Sequence, residues 1–438
     1  MYSGPTTQSA ELYQRARAVM PGGNTRTTVF MEPYPLYGAR GAGCRVWDVD
    51  GVERIDCINN FTAMIHGYAE PRINAAVVEQ LALGSAFGMP TPSEVDLAEL
   101  LCARLPSVDH IRFTNSGTEA VMMALKAARA FTGRPKIAKC EGAYHGSYDF
   151  AEISLDSSPA NWGNTPQSVA YSKGTPQGVL DDVVVIPFND IEQSLDILSR
   201  QSGELAAILV DPLPNRAGLI PADTAYLAAL RRFCDETGVL LIFDEVISFR
   251  LGFNGAQGLW GVNPDLTTLG KIIGGGFPVG AVGGRQEVMA VFDPSAGRPA
   301  LPHGGTFSAN PVSMVAGRVA MELLDAAAYD HLDRLGEAAR SGISEAFARF
   351  GIPGTVTGAG SLLRVHFTDE PIQGYRSAYA TAEQARMLKQ FTAGLINNGV
   401  LAAPYGLMAL STPMTTADID RVVDAVSKSL AALVQGGN

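Results

Sequence analysis

Residues 265–285 read DLTTLGKIIGGGFPVGAVGGR. Lys271 is the one charged side chain between Asp265 and Arg285, and three consecutive glycines, Gly274 to Gly276, follow closely. A lysine in apolar surroundings has a lowered pKa, because desolvation disfavours the ammonium form. A neutral amine is what forms an imine with a carbonyl compound. The same pattern also suits a strand-end lysine whose stem lies along apolar surface while its head reaches water. Neighbouring motifs bear on the choice.

Upstream, the apolar run LLIFDEV ends in Asp244 and continues to Val246. Ligands of parallel sheets bind beyond the carboxyl ends of the strands, where an aspartate can pair with a protonated ring nitrogen. An acid at a strand end is also common without any ligand. In RFTNSGTEAVMMALKAAR, Ser116, Gly117 and Thr118 stand between a strand and a helix. Backbone N–H groups there face an anion at the positive end of the helix dipole. Neither GK[ST] nor GxGxxG accompanies them, and a plain helix cap is the other reading. CEGAYHGSYDF places Tyr144 and His145 after another strand, with Tyr144 suited to stacking on a flat ring or to ordinary packing. HGGTFSANP offers Thr306 as a second phosphate donor or as part of a simple loop. An imine-forming lysine, an acid for a pyridinium, an anion cup and a stacking aromatic together meet the requirements of pyridoxal 5′-phosphate.

The 438 residues are 46% hydrophobic and 18% charged, with a net charge of -11. That balance fits a globular chain long enough for two domains. It argues against nucleic-acid or anionic-membrane partners, which call for a basic face. The start lacks a basic region followed by an apolar one, and no apolar run reaches membrane-spanning length. Five scattered cysteines without a CxxC pair argue against disulfides and zinc. The expectation is a cytoplasmic, metal-free protein.

HIRFTN, KIAKCEG, DVVVIPF, LAAILVDP and GVLLIFDEV read as buried strands. Amphipathic stretches such as EAVMMALKAARAFTG and TAYLAALRRFCDETG lie between them, the second stopping at Gly238. Such alternation predicts an α/β layer on a mostly parallel sheet. The expected organisation is an N-terminal segment, 1–60, joining the small domain; a large cofactor-binding domain, 61–310; and a small C-terminal domain, 311–438. A final helix begins near Thr415 and Asp418. Residues 154–178, rich in Ser, Pro, Gly and Asn, read as a lid.

The ordered set NSGTEA, YHG, FDEV, DLTTLGKIIGGGFPVGAVGGR and GTFSANP closely resembles class III aminotransferases, pyridoxal-phosphate enzymes of fold type I. Within that class it is similar to the branch holding glutamate-1-semialdehyde 2,1-aminomutase and the β-amino-acid (β-phenylalanine type) aminotransferases. The resemblance runs from MPGGNTR to the C-terminal helix. It implies a large domain with a mostly parallel seven-stranded sheet flanked by helices, plus a smaller α+β domain. Lys271 looks like the lysine that holds the cofactor as an imine and shuttles the proton. Asp244 looks like the partner of the pyridine nitrogen, and Val246 like the residue packed under the ring. Ser116, Gly117 and Thr118 match the phosphate cup, with Tyr144, and its neighbour His145, at the ring. Thr306 matches a threonine that reaches the phosphate of a neighbouring subunit, which implies at least a homodimer with shared sites.

Two departures stand out. The class usually has Glu-Pro where this chain has Asp211-Pro212, which alters contacts around the cofactor's phenolic side. In LAAPYGLMALS, Tyr405 stands where relatives that use dicarboxylic acceptors carry an arginine. That weakens the assumption that 2-oxoglutarate is the acceptor. Arg26, in MPGGNTRTTVFMEPYPLY, is a candidate clamp for a substrate carboxylate. NTRTTVF is nearer to the β-amino-acid transaminase pattern, whereas residues 154–178 and GGGFPVGAVGGR are nearer to the aminomutases. The expected activity is transfer of an amino group from a β-amino acid or related carboxylated amine to a keto acceptor, through a Lys271 aldimine and a pyridoxamine form. The alternatives are the aminomutase, a racemase or epimerase, and a bare cofactor-binding protein.

Overall fold

The computed structural model describes residues 7–436; residues 1–6 and 437–438, parts of the expected terminal domains, lie outside it. An antiparallel meander comes first: β1 (Gly38–Ala42), β2 (Arg45–Asp48) and β3 (Glu53–Asp56). The central strands follow as β4 (His110–Thr114), β5 (Lys136–Cys140), β6 (Val183–Ile186), β7 (Leu205–Val210), β8 (Leu240–Asp244), β9 (Leu266–Gly270) and β10 (Gly280–Gly284). They form one seven-stranded sheet in the order β4-β10-β9-β8-β7-β5-β6. β10 alone runs against its neighbours. The expected mostly parallel, seven-stranded sheet is therefore present.

All residues of β6 to β10 are buried, because helices cover both faces of the sheet and near-continuous apolar strands are what that arrangement needs. The helix Gly117–Thr132 buries Val121, Met123, Leu125 and four alanines against it, each large side chain contributing roughly 1.5–3 kcal/mol. The helix Thr224–Thr237 ends at Gly238 with φ +70°, the left-handed cap that glycine adopts without a Cβ penalty.

After a long helix, Ala326–Phe350, come β11 (Thr355–Thr357), β12 (Leu362–His366), β13 (Val400–Leu401) and β14 (Leu407–Ala409). β11, β12 and β14 form a three-stranded sheet, whereas β13 pairs in parallel with β3 of the N-terminal meander. In the last helix, Thr416–Gly436, Ile419, Val422, Val426 and Leu430 are buried. The Asp418 carboxylate accepts from the backbone N–H of Thr415 at 2.8 Å, fixing the helix start. Among the described residues no helix is long and apolar enough to cross a membrane, and no cluster of His, Cys, Asp or Glu could hold a metal ion.

Candidate active site

The chemistry-bearing residues follow the carboxyl ends of five parallel strands. Ser116–Thr118 follow β4, Tyr144 and His145 follow β5, Asp211 follows β7, Asp244 ends β8, and Lys271 follows β9. The sheet thus gathers side chains from distant parts of the sequence at one edge. Lys271 has φ +51°, a left-handed conformation that costs a non-glycine residue roughly 1–2 kcal/mol. Burial lowers its pKa, with the Asp244 and Asp211 carboxylates pulling the other way.

Burial would push the Asp244 carboxyl up, but its partners hold it below the usual range. Its Oδ2 lies 2.7 Å from His145 Nδ1, while Oδ1 accepts from the Thr268 hydroxyl at 3.0 Å and the Val246 N–H at 3.1 Å. His145 is fully buried, and burial lowers its pKa. The neutral ring therefore donates Nδ1–H to a charged Asp244. Asp211 behaves oppositely: burial first, and the Asp244 charge second, raise its carboxyl to about 8. Two neighbouring acids are thus held apart, one ionised and one protonated at neutral pH.

Ser116 caps the helix Gly117–Thr132, its hydroxyl accepting from the Glu119 N–H at 3.2 Å. The cap reading of that hydroxyl is correct, yet it leaves the backbone N–H groups of Gly117 and Thr118 without intrahelical partners at the positive helix end. A Cβ on Gly117 would sit 3.0 Å from Val246 Cγ1. Gly117 and Val246 therefore lie side by side. Thr118 Oγ1 accepts from the Ser147 N–H at 3.2 Å, joining the cup to the segment after Tyr144 and His145.

These residues line an inner chamber of about 370 Å³, together with Arg26, Asn60 and Phe61. Arg26 Nη1 donates to Asn60 Oδ1 at 2.8 Å, and its guanidinium lies 5.8 Å from the Phe61 ring centre. Sequence reasoning missed this turn. Asn59, Asn60, Phe61 and Thr62 all have positive φ. It is held by Asp56, which accepts the N–H groups of Ile58 and Asn59, and by buried Arg250, which donates to the Thr62 carbonyl at 3.0 Å. Asn-Asn was the available signal, since asparagine tolerates the left-handed region. Strain of this kind concentrates at ligand sites.

Phe61, Tyr144, Ile247 and Lys271 also line a second, outer chamber of about 940 Å³. Tyr405 lines that chamber, as do Arg216 and Arg364, two further residues missed from the sequence. Thr306 is exposed and lines neither chamber, so this chain does not bring it to the other site residues. Of residues 154–178, 154–176 form a loop and 177 and 178 begin a short helix, Gln177–Asp181; Leu155, Asp156 and Tyr171 of the loop wall the outer chamber. The loop is pinned: Arg376 donates to the carbonyls of Trp162 and Gly163, both at 2.8 Å, and pairs with Glu141 at 2.7 Å. The Tyr375 hydroxyl holds the Ser157 carbonyl at 2.6 Å. As for the glycines after Lys271, Gly276 does line the inner chamber. Gly275 is required by the chain itself, because a Cβ there would collide with the Ala316 backbone.

The residues present fit pyridoxal phosphate. An amine, a charged acid, a pair of free N–H groups and an exposed aromatic face share one chamber large enough for a ring and phosphate. The buried Nε2 of His145 has no hydrogen-bond partner among the described residues, which marks a polar site that the polypeptide alone leaves incomplete.

Known proteins agree. Residues 29–430 match the family described as aminotransferase class-III. The glutamate-1-semialdehyde 2,1-aminomutase of Methanothermobacter thermautotrophicus is 37% identical over 97% of this chain and 99% of its own. An omega-transaminase from Sphaerobacter thermophilus is 53% identical with a TM-score of 0.96, covering 98% of each chain. A β-phenylalanine aminotransferase from Variovorax paradoxus is 35% identical with a TM-score of 0.86, covering 98% of this chain and 95% of that one. A further structure, 48% identical over 98% of each chain with a TM-score of 0.92, is described as a transaminase with PLP bound. With Lys271, Asp244 and Ser116–Thr118 lining one chamber, and the family match spanning nearly the whole length, the chain belongs to the class-III aminotransferases, enzymes whose cofactor is pyridoxal phosphate.

Proposed function

We propose that the protein is an aminotransferase that takes the amino group of a β-amino acid or related carboxylated amine and passes it to a keto acceptor. The observation that carries this reading is the union of two chambers at Lys271. The inner one is of cofactor size, and the outer one leaves about 940 Å³ for substrates bound in turn. The 53% identity to an omega-transaminase supports it further.

The cofactor, when bound, supplies the electron sink that makes the C–H bond beside nitrogen acidic. The protein does the rest. Burial lowers the Lys271 pKa and so favours the neutral amine, and that amine would be the base that removes the proton and later returns it. Asp244, held charged, would keep the cofactor's ring nitrogen protonated. Asp211, held protonated, donates a hydrogen bond instead of adding a second negative charge. The N–H groups of Gly117 and Thr118, with the Ser116 and Thr118 hydroxyls, anchor the phosphate. Tyr144 and Val246, which both line the chamber, would pack against the cofactor's ring.

Arg26 binds the substrate carboxylate in this reading, because its guanidinium lines the inner chamber and has no carboxylate partner among the described residues. A lost charge-assisted contact is worth roughly 1.5–3 kcal/mol. R26A should then raise KM for carboxylated amines about 10- to 100-fold while leaving simple amines little affected; equal effects on both would remove Arg26 from the site. The 37% identity to an aminomutase over nearly the full length supports a second reading, intramolecular transfer on glutamate-1-semialdehyde. The working unit is at least a homodimer, with exposed Thr306 reaching the phosphate of the neighbouring subunit. Light scattering on the purified protein should give at least twice the 46.3 kDa chain mass, and a monomer active at high dilution would refute the shared site.

A further inference from the structure

Besides Lys271, the outer chamber is lined by three cationic side chains, Lys389, Arg216 and Arg364, against two carboxylates, Glu32 and Asp156. Both acids are engaged, Glu32 with Lys389 at 2.5 Å and Asp156 with Arg216 at 2.7 Å. Arg364 is different. Its Nε donates to the Tyr405 carbonyl at 3.2 Å and its Nη1 to the Asn215 carbonyl. Its Nη2 makes no hydrogen bond among the described residues, and no carboxylate there lies within ion-pair distance. Carbonyl dipoles orient a guanidinium without neutralising it, and a half-buried charge without a counter-ion is costly. Burial, with Tyr405 opposing it and Arg216 adding to it, lowers the Arg364 pKa to about 10, so the group stays charged at neutral pH. This local cationic excess stands inside a chain of net charge -11.

We infer that Arg364, aided by Arg216, forms a carboxylate-reading subsite in the outer chamber and selects substrates with a second carboxylate, a dicarboxylic keto acceptor first among them. The inference rests on the reading of that chamber as the substrate chamber. It also revises the expectation attached to Tyr405. The resemblance implies an arginine there in relatives that use dicarboxylic acceptors, and here the Arg364 guanidinium lies 5.8 Å from the Tyr405 ring centre. The charge absent from the C-terminal loop is supplied from β12. Arg216 can join because its pair with Asp156 is solvent-exposed, which makes it weak and exchangeable.

The test uses cofactor-loaded protein and two unreactive probes that differ by one carboxylate, glutarate and butyrate, titrated by calorimetry. Wild-type protein should bind glutarate about 10- to 100-fold more tightly than butyrate, the range expected of one charge-assisted contact. R364Q should abolish that preference and R364K should restore part of it. R216Q should reduce it, and this variant decides the matter if R364Q does not fold. General damage to the chamber would weaken both probes and leave their ratio intact. A glutarate preference unchanged in both R364Q and R216Q, or absent from the wild type, overturns the inference. The transferase reading is tested apart from this, by whether amines convert the wild-type cofactor. Loss of the preference in R364Q with no amine conversion would leave the subsite standing and remove the transferase.

Discussion

Asp244 and His145 show how one side chain sets the state of another. The ring of His145 cannot gain a second proton cheaply, since burial disfavours its charged form. It therefore serves Asp244 as a neutral donor, and the carboxylate keeps its full charge. The sign follows from the lowered pKa of Asp244. Its contribution is present above the usual carboxyl range and disappears as pH falls through its lower folded value. Removing the donor raises that folded value. H145A should accordingly move the acid limb of the kcat/KM profile toward neutral pH and weaken cofactor retention at mildly acidic pH. A profile that overlays that of the wild type would show that His145 does not hold the Asp244 charge.

At the scale of elements, the parallel strands were legible because the helices on both faces force them to be continuously apolar. β9 and β10 were not read as strands, although the decisive stretch contains both. GAVGG has little β-propensity, and its glycines are there for room. A Cβ on Gly280 would run into the Ser116 carbonyl, and one on Gly283 would lie 2.6 Å from Val108 Cγ1. The glycines of β10 let β4 approach, and β4 leads into the cup. G280A should push the cup off its position, at a cost of about 1–3 kcal/mol for overpacking, read as a lower melting temperature and weaker cofactor binding together. Unchanged cofactor affinity would mean the strand and the cup are independent. Asp244 and Ser116–Thr118 stood out in the sequence because each follows a run read as a strand, whereas Lys271 stood out by its apolar surroundings and Asp211 only through the family resemblance. The turn Asn59–Thr62 and Arg364 were not legible. The first depends on Asp56 and Arg250 from other elements, and the second is an arginine in an ordinary strand, LLRVHF, until β14 and the Asn215 loop close around it.

On the scale of the whole molecule, the N-terminal meander and the C-terminal strands share a sheet through β3 and β13, so both chain ends help build the walls that face Lys271. The stretch 154–178, read as a lid, is a wall tied to residues 375 and 376. The proposed reaction is intermolecular amino transfer. Its most direct test is the visible absorbance of the lysine-bound cofactor in purified protein, followed as a short β-amino acid is added with no keto acceptor present. The expected result is loss of that absorbance with one equivalent of keto product per active site, and its return when a keto acid is supplied. Unchanged absorbance with every carboxylated amine, alongside conversion of glutamate-1-semialdehyde without release of a keto product, would contradict the transferase and establish the mutase.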